Sequence, residues 1–130
     1  TPADLPPRTE AIENFGYCLS GDALALRAHA KEHYLEMLKN FLPSASERQS
    51  IDWIVPHQVS RSLTEEVKRD ANISGELLWS ADRFGNLGGS AVLFTLAEAL
   101  ENKVFKSKDR VLLMSVGGGL SFACQLLEFL

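Results

Sequence analysis

The sequence has few cysteines, no long apolar run and no cluster of basic residues. Its two cysteines, Cys18 and Cys124, have no short spacing, so they form neither a disulfide framework nor a zinc ribbon. No apolar stretch approaches the roughly 20 residues that span a bilayer, and no charged leader precedes an apolar segment. A net charge of -4 without clustered Lys and Arg argues against nucleic acid as a partner. These absences predict a cytoplasmic protein without membrane or nucleic-acid contacts.

What is present is the composition of one globular domain. Hydrophobic residues make up 45% and charged residues 23% of the 130 residues, which are average values. The segment 1–12 contains Pro2, Pro6 and Pro7 and shows no hydrophobic period. We interpret it as a linker from a preceding half of a longer protein, and residues 13–130 as one domain.

An apolar run at residues 51–55 ends on Pro56 and His57. Its length and its branched and aromatic side chains are typical of a strand covered on both faces, and Pro56 removes a backbone donor where the strand stops. Ligands and catalytic groups collect at the carboxyl ends of strands in open α/β sheets. His57 is therefore a candidate catalytic residue; a histidine merely hydrogen-bonded at a strand end is the alternative for this stretch alone.

Helical spacing covers much of the rest. Asp22 can cap a helix that runs to about residue 42. Its stripe is expected to pack on the sheet and consists of Leu24, Ala28, Leu35, Leu38 and Leu42. A second helix is predicted at residues 60–72, where Ser62 and Glu65 have capping-box spacing. A third, at residues 88–101, is apolar nearly all round and is expected to be buried on most sides.

Short strands alternate with these helices. We predict strands at residues 15–19, 51–55 and 77–79, and then two at 110–116 and 121–130 that are close enough in sequence to be antiparallel neighbours. The order βαβαβαββ predicts an α/β fold: a five-stranded mixed sheet with helices on both faces.

Three spaced motifs then point to a family. Pro56-His57-Gln58 ends a strand, Gly85-Asn86 opens a helix of small residues, and Gly117-Gly118-Gly119 separates the last two strands. In this order they resemble the C-terminal half of β-ketoacyl-acyl carrier protein synthase III and its relatives in the thiolase superfamily. The resemblance covers residues 15–130 and implies one half of a thiolase-type fold.

The resemblance also implies the chemistry. In this family an acyl group on a cysteine condenses with malonyl-carrier protein, which loses carbon dioxide. The matching positions are His57 and Asn86, whose N–H groups can form an oxyanion hole for the enolate. By resemblance, the triple-glycine loop supplies a backbone N–H, from Gly118, to the oxygen of the acyl-cysteine. Gly85 and Gly88 would allow close approach to the carboxamide, since no Cβ intrudes.

The chain departs from the family pattern in four places. Ser60 replaces an asparagine that touches the pantetheine region, and Arg61 lies one position early; both are weaker candidates for binding substrate or carrier. Val116 stands where an aromatic residue is common. No Ala-Cys-Ser/Ala nucleophile loop occurs, and Cys18 matches the first strand instead. The chain alone is therefore expected to lack the nucleophile.

The implied partners follow from that absence. The cysteine would belong to an N-terminal thiolase-like half, and the complete enzyme would be a homodimer or heterodimer acting in fatty acid or polyketide metabolism. Acyl-coenzyme A and acyl carrier protein thioesters would be its substrates, with no cofactor. Two alternatives stay open: acyl transfer to an alcohol, an amine or a second acyl chain, and a non-catalytic partner subunit. Arg61 and Lys68 could meet an acidic carrier protein or form a solvated face.

Other motifs have competing explanations. His29 and His33 fit the inverted zinc-protease pattern, but they lie roughly 140° to 180° from the leucine stripe and should face solvent; no metal site is expected. The triple glycine lacks the Lys-Ser/Thr of a phosphate loop, and a plain tight hairpin is its alternative. Both cysteines are expected to be packing residues.

Overall fold

The structure is a computed structural model that describes residues 23–118 and 120–130. Five features named above lie outside the described residues: the segment 1–12, the predicted strand at 15–19, Cys18, the capping residue Asp22, and Gly119.

Four strands form one mixed sheet in the order β2-β1-β3-β4. They are β1 (Trp53–Pro56), β2 (Glu76–Leu77), β3 (Arg110–Gly117) and β4 (Ser121–Glu128). The helices are α1 (Ala23–Phe41), α2 (Ala45–Gln49), α3 (Arg61–Asp70), α4 (Ala81–Phe84) and α5 (Ala91–Glu101). β1 is parallel to β2 and β3, whereas β4 is antiparallel to β3. The α/β class and the mixed sheet are confirmed, with four strands rather than five in the described part.

The two shortest strands differ in extent from the prediction. β1 begins at Trp53 and includes Pro56, which pairs with Met114 of β3. β2 begins just after Gly75, where a Cβ would lie 2.9 Å from the side chain of Ile51, so only glycine fits without displacing its neighbour. It ends at Leu77, although the Leu78 amide still donates to the Ile54 carbonyl at 2.9 Å.

One face of the sheet is covered by α1 and α3. Their buried side chains share a core with β1 and β3, which comprises Tyr34, Leu38, Leu42, Ile51, Ile54, Val67, Ala71, Ile73, Leu112 and Met114. The predicted stripe of α1 is wrong in its first turns, since Leu24 is 81% exposed and Ala28 is also exposed. Those turns border a cavity rather than the core, and the buried face there passes through Ala30 and Tyr34.

The caps of the short helices also differ from expectation. The N-cap of α3 is Ser60, whose hydroxyl accepts a hydrogen bond from the Leu63 amide at 3.3 Å. The predicted capping box at Ser62 is therefore wrong, because the helix starts directly after the turn that follows His57. A true capping box begins α2, where Ser44 and Glu47 bond each other's amides.

The opposite face is covered by α5, which follows a 3₁₀ turn at Gly88–Ser90. Val92 packs with Val55, Val111 and Leu113 of the sheet. The outer side of α5 remains open: within the described chain, Leu93 is 66%, Leu100 48% and Phe94 37% exposed. Phe94 packs against Phe84 of α4, with ring centroids 4.9 Å apart, but Leu93 and Leu100 stay exposed, so the expected burial on most sides is wrong for this chain. No helix among residues 23–118 and 120–130 is long and apolar enough to cross a membrane.

Candidate active site

His57 follows β1 directly, at the carboxyl end of the parallel strands. Its amide donates to the Met114 carbonyl at 2.7 Å, and its carbonyl accepts from the Val59 amide at 3.0 Å. These two bonds tie the residue to β3 and close a tight turn behind it. The backbone of His57 is therefore fixed by the sheet itself.

The imidazole of His57 is half-buried. Its Nδ1 atom is buried and has no hydrogen-bond partner among the described residues. Burial lowers the pKa of the imidazole below its ordinary value of 6.5, because the charged form loses solvation. At neutral pH the ring is thus uncharged, and one of its nitrogens carries a proton that it can donate.

A cavity of about 420 Å³ opens in front of this ring. Its walls come from α1, from the turn after β1 and from the β3–β4 hairpin, and most of them are apolar. The lining residues are Leu26, Arg27, Ala30, His57, Val59, Ser60, Val116, Gly117, Gly118 and Leu120. An apolar cleft with a few polar groups is the usual form of a small-molecule site.

The glycine hairpin reaches the same cavity as His57. Gly117 pairs with Ser121 and closes the β3–β4 ladder, and Gly118 lies in the turn beyond it. A Cβ at Gly118 would meet nothing within 4 Å, so there is open space beside its Cα. The structure therefore brings Gly117 and Gly118 together with His57.

Asn86 is exposed, in the loop between α4 and the 3₁₀ turn. Its Oδ1 accepts a hydrogen bond from the Gly88 amide at 2.9 Å. This bond leaves the Nδ2 group as a donor without a partner among the described residues. Asn86 does not line the cavity in front of His57.

Gly85 and Gly88, on either side of Asn86, adopt left-handed conformations with φ of 70° and 58°. A Cβ at either position would meet nothing within 4 Å. The positive φ values by themselves favour glycine at both positions, and the close approach of a substrate to Asn86 stays a prediction.

The two weaker candidates occupy different places. Ser60 lines the cavity, and besides capping α3 its hydroxyl accepts from Arg27 at 3.1 Å. Arg61 is exposed, does not line the cavity and lies 3.4 Å from Asp82. Arg27 itself was missed by the sequence argument, because its partners lie on α3, far along the chain; its other Nη atom bonds Glu66.

Gln58 was also missed. Its side chain is 2% exposed, and Nε2 donates to the carbonyls of Pro56 at 2.9 Å and Leu78 at 3.3 Å. Oε1 accepts from the amides of Ser80 at 2.8 Å and Ala81 at 3.1 Å. Nothing in a local pattern announces these contacts, since three of the four partners are 20 or more residues away.

The histidines of the zinc-protease pattern and Cys124 lie outside the cavity in front of His57. His29 and His33 are exposed on α1, and the described residues contain no group of three His, Cys, Asp or Glu arranged to hold a metal ion. Cys124 is half-buried on β4. Burial raises the pKa of its thiol, which favours the protonated, unreactive form.

A known protein family matches most of this chain. Residues 44–129 match the family described as 3-Oxoacyl-[acyl-carrier-protein (ACP)] synthase III C terminal. The chain belongs to this family. The resemblance of the chain to the C-terminal half of synthase III is thereby confirmed.

Individual synthase III proteins are similar in sequence to this chain. Beta-ketoacyl-[acyl-carrier-protein] synthase III of Chlamydia muridarum (strain MoPn / Nigg) is 28% identical over 125 residues, 95% of this chain and 38% of that protein. The protein of the same name from Clostridium novyi (strain NT) is 32% identical over 82 residues, 62% of this chain and 25% of that protein. The chain thus spans well under half the length of these curated relatives.

Solved synthase III structures share the fold. The crystal structure of 3-oxoacyl-(acyl carrier protein) synthase III from Pseudomonas aeruginosa PAO1 matches 85% of this chain with a TM-score of 0.74 at 18% identity, and the match covers 35% of that chain. OleA of Xanthomonas campestris, crystallised with lauric acid and lauroyl-CoA, matches 83% of this chain with a TM-score of 0.73 at 24% identity and 33% of its own length. The thiolase-type half predicted from the sequence is confirmed.

Proposed function

We propose that this domain supplies His57 and Asn86 to the active site of a 3-oxoacyl synthase III-like acyltransferase. The reaction is a decarboxylative Claisen condensation of an acyl thioester with malonyl-carrier protein. The nucleophilic cysteine belongs to an N-terminal thiolase-like half. The observation that carries this proposal is a half-buried His57 at an apolar cavity that it shares with the glycine hairpin.

The two side chains act on the malonyl thioester. As the bond between the α-carbon and the carboxylate breaks, carbon dioxide leaves and the electron pair forms an enolate. N–H groups of His57 and Asn86 donate to the enolate oxygen. The α-carbon then attacks the acyl-cysteine carbonyl, a carbon–carbon bond forms, and the cysteine leaves as thiolate. The free Nδ2 of Asn86 and the neutral ring of His57 suit this role.

The glycine hairpin acts on the other thioester. The Gly118 amide donates to the carbonyl oxygen of the acyl-cysteine as negative charge develops there. The positions of Gly117 and Gly118 at the cavity support this assignment, as does the open space beside the Gly118 Cα.

The N-terminal half covers the open side of α5. That side carries Leu93, Phe94 and Leu100, and exposed Phe84 and Leu87 lie nearby in sequence. A contiguous apolar surface of this kind is typical of an interface. The half that covers it also brings the cysteine to the cavity.

The acyl carrier protein approaches the basic residues of α3. Arg61 is exposed and Lys68 lies two turns further along the helix. Because Arg61 already faces Asp82 at 3.4 Å, its contribution to an acidic partner is smaller than that of an unpaired arginine.

A second candidate keeps the fold and changes the acceptor. Val116 lines the cavity beside His57 at a position where relatives commonly carry an aromatic residue. The smaller side chain leaves space for a second acyl chain, an alcohol or an amine as the acceptor. In that case acyl transfer would proceed without release of carbon dioxide from malonyl-carrier protein.

The test uses the complete protein. Incubation with a panel of acyl-coenzyme A thioesters and peptide mapping should find an acyl adduct on a cysteine outside these 130 residues, and radiolabelled malonyl-carrier protein should then release carbon dioxide. Adduct formation without decarboxylation would favour the second candidate. An adduct on Cys18 or Cys124 would place the nucleophile in this domain and overturn the proposal. Turnover that survives both His57→Ala and Asn86→Ala would also overturn it and would favour a non-catalytic subunit.

A further inference from the structure

Gln58 joins two segments that carry the candidate catalytic residues. Through Nε2 it holds the Pro56 carbonyl, one residue before His57. Through Oε1 it holds the amides of Ser80 and Ala81, at the start of α4. All four hydrogen-bonding positions of the carboxamide are used, and the side chain is 2% exposed. Hydrogen bonds from its nitrogen and to its oxygen therefore fix the position of the Gln58 side chain.

The second segment continues this connection toward Asn86. The Ser80 hydroxyl bonds the Thr95 hydroxyl at 2.6 Å, and Thr95 also donates to the Ala91 carbonyl at 2.9 Å. The helices before and after the Asn86 loop are thus both tied to the end of β1. The loop itself is exposed, so its position relative to His57 depends on these anchors, together with the Arg83–Glu98 ion pair and the Phe84–Phe94 contact that also join α4 to α5.

We propose that Gln58 is a positioning residue that sets the separation between His57 and Asn86, an inference that rests on the proposed function. Two oxyanion donors work only when both reach one oxygen at about 2.7 to 3.1 Å. A displacement of about 1 Å in such an arrangement can lower the rate about 10²-fold. Gln58 makes no contact with substrate; it acts through the two segments that it joins.

Two substitutions test the donor nitrogen and the acceptor oxygen of the Gln58 carboxamide separately. Gln58→Met keeps the length of the side chain and removes all four hydrogen bonds. Gln58→Glu keeps acceptors for the Ser80 and Ala81 amides, but above the pKa of the glutamate it cannot donate to Pro56. The protonated glutamate regains one donor, so the activity of this variant should recover as the pH falls.

The matched control is Trp53→Phe, at the opposite end of β1. It removes the indole hydrogen bond to Asp109 at 2.8 Å and so perturbs the same strand away from the site. The variants are compared in the complete enzyme at a temperature where each is fully folded. The measurements are kcat and KM for malonyl-carrier protein, the melting temperature and the pH profile.

The expected result is a fall in kcat of about tenfold to a hundredfold for Gln58→Met, a smaller change in KM, and near-normal kcat for Trp53→Phe despite a lowered melting temperature. Gln58→Glu should gain activity toward low pH while the unsubstituted enzyme does not. Normal kcat in folded Gln58→Met, with large losses in His57→Ala and Asn86→Ala, would overturn the positioning role alone. Unaffected turnover in those two alanine variants would overturn the proposed function and the positioning role together.

Discussion

His57 and Asn86 are held in opposite ways. His57 is fixed by backbone bonds to β3 and lies half-buried at a cavity that this chain builds by itself. Asn86 is exposed on a loop, and its only recorded hydrogen bond within the described residues is the local one from the Gly88 amide. The difference teaches that the domain holds the His57 donor rigidly in its own cavity, whereas the Asn86 donor lies on the surface, where it can contact a partner.

The strongest test of this comparison is to remove each donor. His57→Ala and Asn86→Ala should each lower kcat about 10²-fold to 10³-fold in the complete enzyme, because each removes one N–H from the developing oxyanion. Decarboxylation of malonyl-carrier protein measures the effect. If the exposed Asn86 were only a turn residue, its alanine variant would keep full activity.

Asn86→Asp is the matched control for the loop. It keeps the oxygen that accepts from the Gly88 amide and replaces the donor with a second oxygen. We expect a loss at least as large as for alanine, since a carboxylate repels the enolate. Activity close to that of the unsubstituted enzyme would show that the loop conformation, and not the donor, is what matters.

The two faces of the sheet offer a second comparison. Leu38 is 0% and Leu93 66% exposed. In urea unfolding of the 130-residue chain, Leu38→Ala should lower the free energy of unfolding by about 2 to 5 kcal/mol, and Leu93→Ala by less than about 0.5 kcal/mol. Equal losses would mean that the outer side of α5 is covered within this chain.

The loop glycines give a smaller effect. Gly85 has a φ of 70°, whereas Gly118 has no positive φ. Gly85→Ala should therefore destabilise the domain by about 1 kcal/mol and disturb the Asn86 loop, while Gly118→Ala should be nearly neutral in stability. Chemical unfolding of both variants makes the comparison, and a neutral Gly85→Ala would contradict the left-handed conformation.

The smallest expected effect is the change of stability with pH that arises from His57. The pKa of His57 is lowered by burial, so below an unfolded-state pKa of about 6.5 the unfolded chain binds the proton more readily than the native one. The contribution of His57 is fully present above that pKa and is lost as the pH falls toward the folded-state pKa. Titration of the imidazole by NMR should give a midpoint below 6.5; a midpoint above it would contradict the burial.

The parts of the fold that the sequence predicted are those with local signals. The apolar run before Pro56 and His57 predicted β1 to within two residues, and the glycines predicted the final hairpin. Ser62 was preferred to Ser60 as a cap because both have suitable side chains and only the turn after His57 decides between them. The local pattern is silent on such tertiary choices.

The residue types of the candidate site could be predicted from the sequence, but the hydrogen bonds between its segments could not. His57 and the glycine hairpin were found from motifs. Gln58 belongs to one of these motifs, but its role was missed because its partners come from a different part of the chain. The apolar pattern of α5 predicted burial on most sides, and the described chain covers one. Periodicity reports how much apolar surface a helix has, and not which polypeptide covers it.

One feature of the sheet has a practical consequence. β4 is its last strand in the described order, it is eight residues long, and it pairs with β3 at every position without a bulge. Within residues 23–118 and 120–130 no strand pairs with its outer side, and Glu128 is its only charged residue. A long regular edge of this kind can pair with another extended chain. Expressed by itself, the domain would be prone to self-association through this edge, and a lysine in place of an exposed residue such as Ala123 is the first change to try when preparing it.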